Sequence, residues 1–264
     1  MKFFRSVSVN SNVCPPGLYD EIIRLWPVGV RHLTFHLEAK PGEEENAKLV
    51  EQIVAFCKER GLDKVRGAYS YLVMTHYEPS DLKAAALLWL WTQKRMFKGI
   101  NSDRRDECGR IVLPASEAKA TIKVASIFPK PWLVVASATR RILERGDLIG
   151  MKFEEVAIEG HSIRASTEPF WELRSSVTLP KMVNSVEDKS IDWELPRYLI
   201  SGPYGEPHYR QSELQPLGSF DIAHTWERLS GSEPALIISQ RFYQYCLKNK
   251  IPLEVRPARI DTGA

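Results

Sequence analysis

The sequence predicts a mixed α/β fold (α+β mixed), in which mixed sheets are covered by packed helices. Short apolar runs typical of buried strands alternate along the chain with stretches of helical periodicity. One strand-helix-strand pattern occurs twice in the C-terminal half. The composition, with 44% hydrophobic and 26% charged residues over 264 positions, is that of a globular protein with a sizeable core.

The first hundred residues predict two strands and two helices. Residues 3–9 and 28–37 have the alternating apolar pattern of half-buried strands. An acidic first turn after Glu43, followed by regularly spaced apolar residues, predicts an amphipathic helix that ends near Gly61. Ser80 can cap a second helix, which we expect to run through LKAAALLWLWTQKRM and to be largely enclosed.

A polar, charged stretch predicts the main boundary in the chain. Residues 98–110 (KGINSDRRDECGR) have the composition of a loop or of a junction between two halves. We therefore expect an N-terminal α/β region over residues 1–108 and a C-terminal region over residues 109–264. The two regions can also form one continuous domain.

The C-terminal region contains an internal repeat. Its copies are residues 131–158 and 233–260, and they align when Ser137 is placed on Ser239. Each copy has a short buried strand, a serine that can cap a helix, the helix itself and an alternating strand. Strands this apolar must be covered on both faces, so we expect the two units to contribute to one or two mixed sheets.

The segment between the copies supplies the candidate partner-binding residues. Residues 162–177 and 191–200 are strand-like, and residues 201–215 have the composition of an ordered surface loop. Tyrosine and arginine are enriched at protein interfaces, although an exposed connector would have a similar composition. The candidates in this loop are Tyr204, His208, Tyr209 and Arg210.

Motifs for chemistry are absent from the sequence. It contains no pattern typical of nucleotide, zinc or calcium binding, and the serine in GHSIR lacks the two-glycine elbow of a nucleophile. We therefore predict no cofactor, no metal and no catalytic residue. If the chain is an enzyme, its acid-base residues are dispersed, and the candidates are then His161, His208, Glu172 and Asp221.

Charge and segment composition predict a cytoplasmic protein. A net charge of +3 produces no global field for nucleic acid, so we expect no direct nucleic-acid binding. The N-terminus lacks the features of a signal peptide, and the longest uncharged run, residues 84–93, is about half of a membrane span. Four scattered cysteines are typical of reduced thiols.

Parts of the C-terminal region resemble the double-CXXCG motif family of bacterial immunity proteins. The resemblance rests on residues 131–136 (PWLVVA), 168–173 (EPFWEL) and the closing module over residues 220–257, and it covers about residues 125–260. The name-giving cysteines are missing, because residues 201–205 (SGPYG) stand where a CXXCG motif is expected. The resemblance therefore implies a divergent, metal-free member.

The resemblance also implies a function. It predicts a non-catalytic immunity protein, monomeric or weakly dimeric, that binds and neutralises a cognate toxin in the cytoplasm. The alternatives from other classes are the enzyme with dispersed acid-base residues and a scaffold or regulatory binding domain.

Overall fold

The computed structural model describes most of the chain as two compact units. The described residues are 2–15, 17–27, 30–31, 34–65, 67–91, 93–94, 96–97, 105–116, 118, 122–127, 132–159, 170–189, 195–201, 205–229 and 233–262. The first unit ends at Pro79 and the second begins at Ser80. The division falls before the expected boundary at residue 108, because a strand at Leu87–Leu90 pairs with strands near the C-terminus.

The first unit is an antiparallel sheet with two helices. Its elements are β1 (Lys2–Asn10), α1 (Leu18–Leu25), β2 (Val30–Arg31), β3 (Thr34–Ala39), α2 (Glu44–Glu59) and β4 (Tyr69–His76). The strand order is β2-β3-β1-β4. The strand predicted at residues 3–9 and the helix predicted after Glu43 are confirmed, whereas the segment 28–37 includes parts of two strands.

One face of this sheet packs on α2. Val7 and Val9 of β1 and Phe35 of β3 are fully buried together with Ile53 and Cys57 of α2. Successive side chains of a strand point to opposite faces, so the even-numbered residues of β1 and β3 lie on the face away from this core.

The second unit contains fourteen strands and four helices among the described residues. Its strands are β5 (Leu87–Leu90), β6 (Met96–Phe97), β7 (Val112–Pro114), β8 (Val124–Ile127), β9 (Trp132–Ala136), β10 (Met151–Glu155), β11 (Ala157–Glu159), β12 (Phe170–Ser175), β13 (Ser185–Glu187), β14 (Tyr198–Ile200), β15 (His208–Arg210), β16 (Ile222–His224), β17 (Leu236–Ser239) and β18 (Val255–Asp261). Its helices are α3 (Pro79–Ala84, which begins at the boundary), α4 (Ser137–Glu144), α5 (Gln211–Leu214) and α6 (Gln240–Lys248).

Two five-stranded sheets dominate the second unit. Their strand orders are β10-β12-β9-β8-β6 and β15-β18-β5-β17-β16, and two-stranded sheets are formed by β7 with β11 and by β13 with β14. Parallel and antiparallel pairs occur in both large sheets. The predicted fold class, mixed sheets with packed helices, is confirmed.

The internal repeat corresponds to two equivalent structural units. One copy is β9-α4-β10 and the other is β17-α6-β18. In each copy the two strands flank a third strand that is antiparallel to both, β12 in the first case and β5 in the second. The inserted strand follows the first copy in the chain but precedes the second.

The two serines of the repeat differ in their contacts. Ser239 is the N-cap of α6, and its hydroxyl accepts a hydrogen bond from the Phe242 N–H at 3.0 Å, as predicted. The N-cap of α4 is Ala136, and the Ser137 hydroxyl accepts a hydrogen bond from the Trp171 indole at 2.9 Å. Ser137 therefore connects the first copy to the strand inserted in it.

The prediction of one long helix after Ser80 is wrong beyond Ala84. The chain leaves α3 there and forms β5, whose four side chains are all buried. A central strand covered on both faces has no polar alternation, so its apolar run cannot be distinguished from a buried helix by periodicity.

Candidate functional site

A two-stranded ribbon in the second unit carries exposed apolar side chains. β13 and β14 pair so that Val186 lies directly opposite Leu199. Opposed residues of an antiparallel pair share one face, and these two side chains are 54% and 55% exposed. Leu195, just before β14, is exposed as well. Exposed apolar side chains grouped in this way are typical of a protein-binding surface.

The other face of the ribbon adjoins an aromatic corner. Tyr198 of β14 packs edge-on against Trp226, with ring centroids 5.4 Å apart. The Lys181 ammonium lies 5.3 Å from the Tyr198 ring and 5.5 Å from the Trp226 ring, which is the range of a cation–π contact. Trp226 remains 49% exposed. Both faces of the ribbon thus present apolar surface, and we call Lys181, Val186, Tyr198, Leu199 and Trp226 the ribbon surface.

A groove of about 500 Å³ lies beside the ribbon surface. Its lining includes Val183, which is 45% exposed, and the ion pair between Arg210 and Glu213 at 3.1 Å. The complete lining is Pro180, Lys181, Met182, Val183, Ser185, Arg210 and Glu213. A lining that contains both apolar and charged side chains is suited to a side chain with an aliphatic stem and a polar end.

The amide of Asn184 holds the base of the ribbon. Its nitrogen donates hydrogen bonds to the carbonyl oxygens of Ser201 at 2.9 Å and Glu206 at 2.8 Å, and its oxygen accepts one from the His208 N–H at 3.1 Å. Glu206 itself is buried and paired with the Arg259 guanidinium. The ribbon is therefore ordered before a partner binds, which lowers the entropic cost of binding.

A buried carboxylate supports the wall of the groove. Glu227 has no exposed surface, and its Oε1 accepts a hydrogen bond from the Met182 N–H at 2.6 Å. Its Oε2 and the hydroxyl of buried Tyr209 have no hydrogen-bond partner among the described residues. Burial and the negative charge of Glu227 both raise the pKa of Tyr209, so that this phenol stays protonated.

The four predicted partner-binding residues differ in location and exposure. Tyr204 lies outside the described residues. His208 and Arg210 belong to β15, where Arg210 is exposed at the groove and His208 is half-buried. Tyr209, between them, is 0% exposed because alternation along the strand turns it into the core. The segment predicted as a loop thus contains a strand and a short helix.

The suspected acid-base residues are not brought together. Glu172 is buried in a bidentate ion pair with Arg105, with nitrogen–oxygen distances of 3.0 and 3.1 Å. Asp221 and His208 lie in other parts of the unit, and His161 is outside the described residues. Glu172 therefore stabilises the attachment of Arg105 to the sheet.

Asp221 joins the two copies of the repeat. Its Oδ1 accepts a hydrogen bond from the Ser239 hydroxyl at 2.7 Å, and its Oδ2 accepts one from the Ile149 N–H at 2.9 Å. The guanidinium of Arg241 is 3.5 Å from the same Oδ2. A depression of about 320 Å³ lies beside this carboxylate at the start of α6, where a negative charge is favourable. Asp221 therefore stabilises the contact between the two copies of the repeat.

Neither a metal centre nor a membrane span is found in the described ranges. No three His, Cys, Asp or Glu side chains there are grouped so as to hold a metal ion, and no helix there is long and apolar enough to cross a membrane. Cys14, Cys57 and Cys246 are buried thiols, and Cys108 is exposed.

His224 is expected to make the stability of the fold depend on pH. Its Nε2 accepts a hydrogen bond from the Ser175 N–H at 3.1 Å, and burial lowers its pKa from 6.5 to about 4, with a contribution from the charge of Arg174. Between these values the unfolded chain binds a proton that the folded chain does not. The free energy of unfolding should therefore fall by at most about 3 kcal/mol as the pH drops from 6.5 towards 4.

Urea unfolding of the wild type and of His224→Gln at several pH values measures this effect. The glutamine side chain does not titrate, so its unfolding free energy should change less over the same pH range. Equal pH slopes for the two proteins would contradict the assignment.

Comparison with known proteins identifies no relative: no family model matches the chain, and no match is found among the curated proteins or the solved structures.

Proposed function

We propose that this chain is an immunity-type protein that binds and neutralises a cognate bacterial toxin, using the ribbon surface and the adjoining groove. The observation that carries the proposal is the exposure of Val186, Leu199 and Trp226, three large apolar side chains on or beside one ordered ribbon. Fully burying such a side chain is worth about 1.5–3 kcal/mol, and because these three are already about half buried, covering the rest of each is worth roughly half as much. A partner that covers the ribbon would recover that free energy.

The chemical composition of the surface supports a protein as the occupant. Tryptophan, tyrosine and arginine are the residues most often responsible for binding energy at protein interfaces, and Trp226, Tyr198 and Arg210 lie at or beside the groove. The groove is open and shallow, with the ribbon beside it. A partner with a protruding side chain can fill the groove while its flanking surface wraps around the ribbon to the opposite face, where Val186 and Leu199 are exposed.

The resemblance to immunity proteins supports the identity of that partner as a toxin. The quoted motifs flank the ribbon in the chain, at residues 131–136 on one side and within residues 220–257 on the other. Arg105, Glu172 and Asp221 are engaged in structural contacts, so the proposed role is binding without turnover. A cytoplasmic, monomeric or weakly dimeric protein remains our expectation.

Co-expression with the product of the adjacent gene tests the proposal. We expect that product alone to arrest growth, and co-expression of this chain to restore growth and to yield a complex that survives size-exclusion chromatography. Recovery of growth without a complex would point to a scaffold or regulatory role. Absence of both rescue and complex would contradict the proposal.

A further inference from the structure

Three polar side chains form a line on the first unit's sheet, on the face away from α2. The register of β1 and β3 places Ser8 opposite His36, and Glu38 follows His36 by two residues and therefore shares its face. The neighbouring odd-numbered side chains Val7 and Leu37 are buried in the core on the other face. Strand pairing alone thus brings a hydroxyl, an imidazole and a carboxylate together.

The three side chains form a continuous hydrogen-bonded chain. Ser8 Oγ lies 2.5 Å from His36 Nδ1, and His36 Nε2 lies 2.9 Å from Glu38 Oε1. An ionised carboxylate only accepts hydrogen bonds, so Nε2 carries the proton and Nδ1 accepts the proton of the Ser8 hydroxyl. The imidazole side chain is 24% exposed and the carboxylate 41%, so the group is accessible from solvent without being fully hydrated.

We infer that this chain of contacts makes Ser8 a nucleophile towards activated carboxylic esters. A base hydrogen-bonded to the hydroxyl and oriented by a carboxylate is the arrangement that activates serine. The Ser8 oxygen would bond to the ester carbonyl carbon while its proton passes to His36 Nδ1. The bond from carbon to the leaving alkoxide then breaks, and the alkoxide takes that proton. Water, deprotonated by the same imidazole, would release the acid and restore the Ser8 hydroxyl.

The surroundings of Ser8 predict slow turnover. β1 is an inner strand, paired with β3 on one side and β4 on the other, so its backbone N–H groups are largely committed to the sheet. Ser70, which is exposed and lies opposite Ser8 on β4, can donate its hydroxyl proton to an oxyanion formed at Ser8. Loss of one oxyanion donor typically lowers the rate by about 10²–10³-fold. Covalent labelling is therefore a better measurement than steady-state hydrolysis.

A fluorophosphonate probe on the full-length protein tests the inference. Attack by Ser8 forms an oxygen–phosphorus bond, breaks the phosphorus–fluorine bond and transfers the serine proton to His36, so fluoride is released. We expect peptide mass spectrometry to find the label on Ser8 in preference to the exposed serines Ser176 and Ser201, which act as internal controls. His36→Ala should reduce the labelling rate at least tenfold, and Glu38→Gln should reduce it by a smaller factor.

Circular dichroism establishes that the two variants are folded, and mapping on the wild type needs no variant. No label on Ser8, a label spread equally over exposed serines, or an unchanged rate in folded His36→Ala would each overturn the inference. Ser8, His36 and Glu38 belong to the first unit, whereas the ribbon surface belongs to the second. The outcome of the labelling experiment is therefore independent of whether the proposed toxin binds.

Discussion

Replacing Arg105 by methionine is expected to lower the free energy of unfolding by about 3–5 kcal/mol, the usual effect of leaving a buried charge without its partner. Glu172 is 3% exposed and accepts two hydrogen bonds from the Arg105 guanidinium, which also lies 4.3 Å from the centroid of the Trp132 ring. Without the guanidinium, the carboxylate stays in the core without its hydrogen-bonded partner, although the charge of Arg174 still acts on it. Urea unfolding monitored by tryptophan fluorescence measures the loss.

A matched variant and a double variant separate the buried charge from other effects. The side chain of Arg210 is 61% exposed and forms an ion pair with Glu213. Because this pair is at the surface, Arg210→Met should change the free energy of unfolding by less than about 1 kcal/mol. Combining Arg105→Met with Glu172→Leu should recover most of the loss, because no charge is then buried. Equal effects of Arg105→Met and Arg210→Met would show that Glu172 is not desolvated as the structure has it.

If the proposed toxin binds the ribbon surface, truncating Trp226 to alanine is expected to weaken that binding by at least about 2 kcal/mol, or roughly 30-fold in Kd. The indole is half exposed, packs on Tyr198 and is approached by the Lys181 ammonium. A ring held in this way is already ordered and can be buried by a partner at little entropic cost. Isothermal titration calorimetry with the purified toxin measures the change.

Leu247→Ala is the control for this prediction. Leu247 is 45% exposed on α6, outside the ribbon surface and the groove, and its truncation should leave Kd unchanged within about twofold. A Trp226→Ala protein that binds as tightly as the wild type would move the interface away from the aromatic corner, even if the chain still neutralises the toxin.

The parts of the fold that the sequence predicted are those with strong local signals. The helix at Glu44–Glu59 has an acidic first turn, regularly spaced apolar residues and a glycine just after its end. Together these signals locate both ends of the helix in the sequence. The two strand-helix-strand units were predictable because a covered strand followed directly by a helix repeats in the same order, although only the serine of the second copy caps its helix. In both cases the signals that determine the secondary structure lie within a short stretch of consecutive residues.

The position of β5 required information from distant residues. Leu87–Leu90 is paired along its two edges with β17 and β18, which lie near the other end of the chain. Its side chains are buried on both faces of the sheet, Leu88 and Leu90 in one core cluster and Leu87 and Trp89 in another. Nothing within the run itself distinguishes a strand covered on both faces from an enclosed helix. The same long-range pairing explains why the units divide before β5.

The candidate site was hidden for a similar reason. Val186 and Leu199 look like ordinary half-buried strand residues, and only the lack of a covering element makes them exposed. Tyr209 is a residue type that is common at protein interfaces, but it is buried because alternate side chains of β15 point into the core. The pair Ser8 and His36 depends on the register of two strands, which the sequence does not specify locally. Exposure and register are properties of the assembled sheet.

If this protein neutralises a toxin through the ribbon, as we propose, growth rescue must be lost when the ribbon's exposed apolar side chains are replaced by charged ones. Val186→Asp combined with Leu199→Asp places two charges where apolar contact is needed, whereas Leu247→Asp places one on a remote exposed site. All three proteins should unfold at similar urea concentrations. We expect rescue by the wild type and by Leu247→Asp, and no rescue by the double variant. Full rescue by the folded double variant would contradict the proposal.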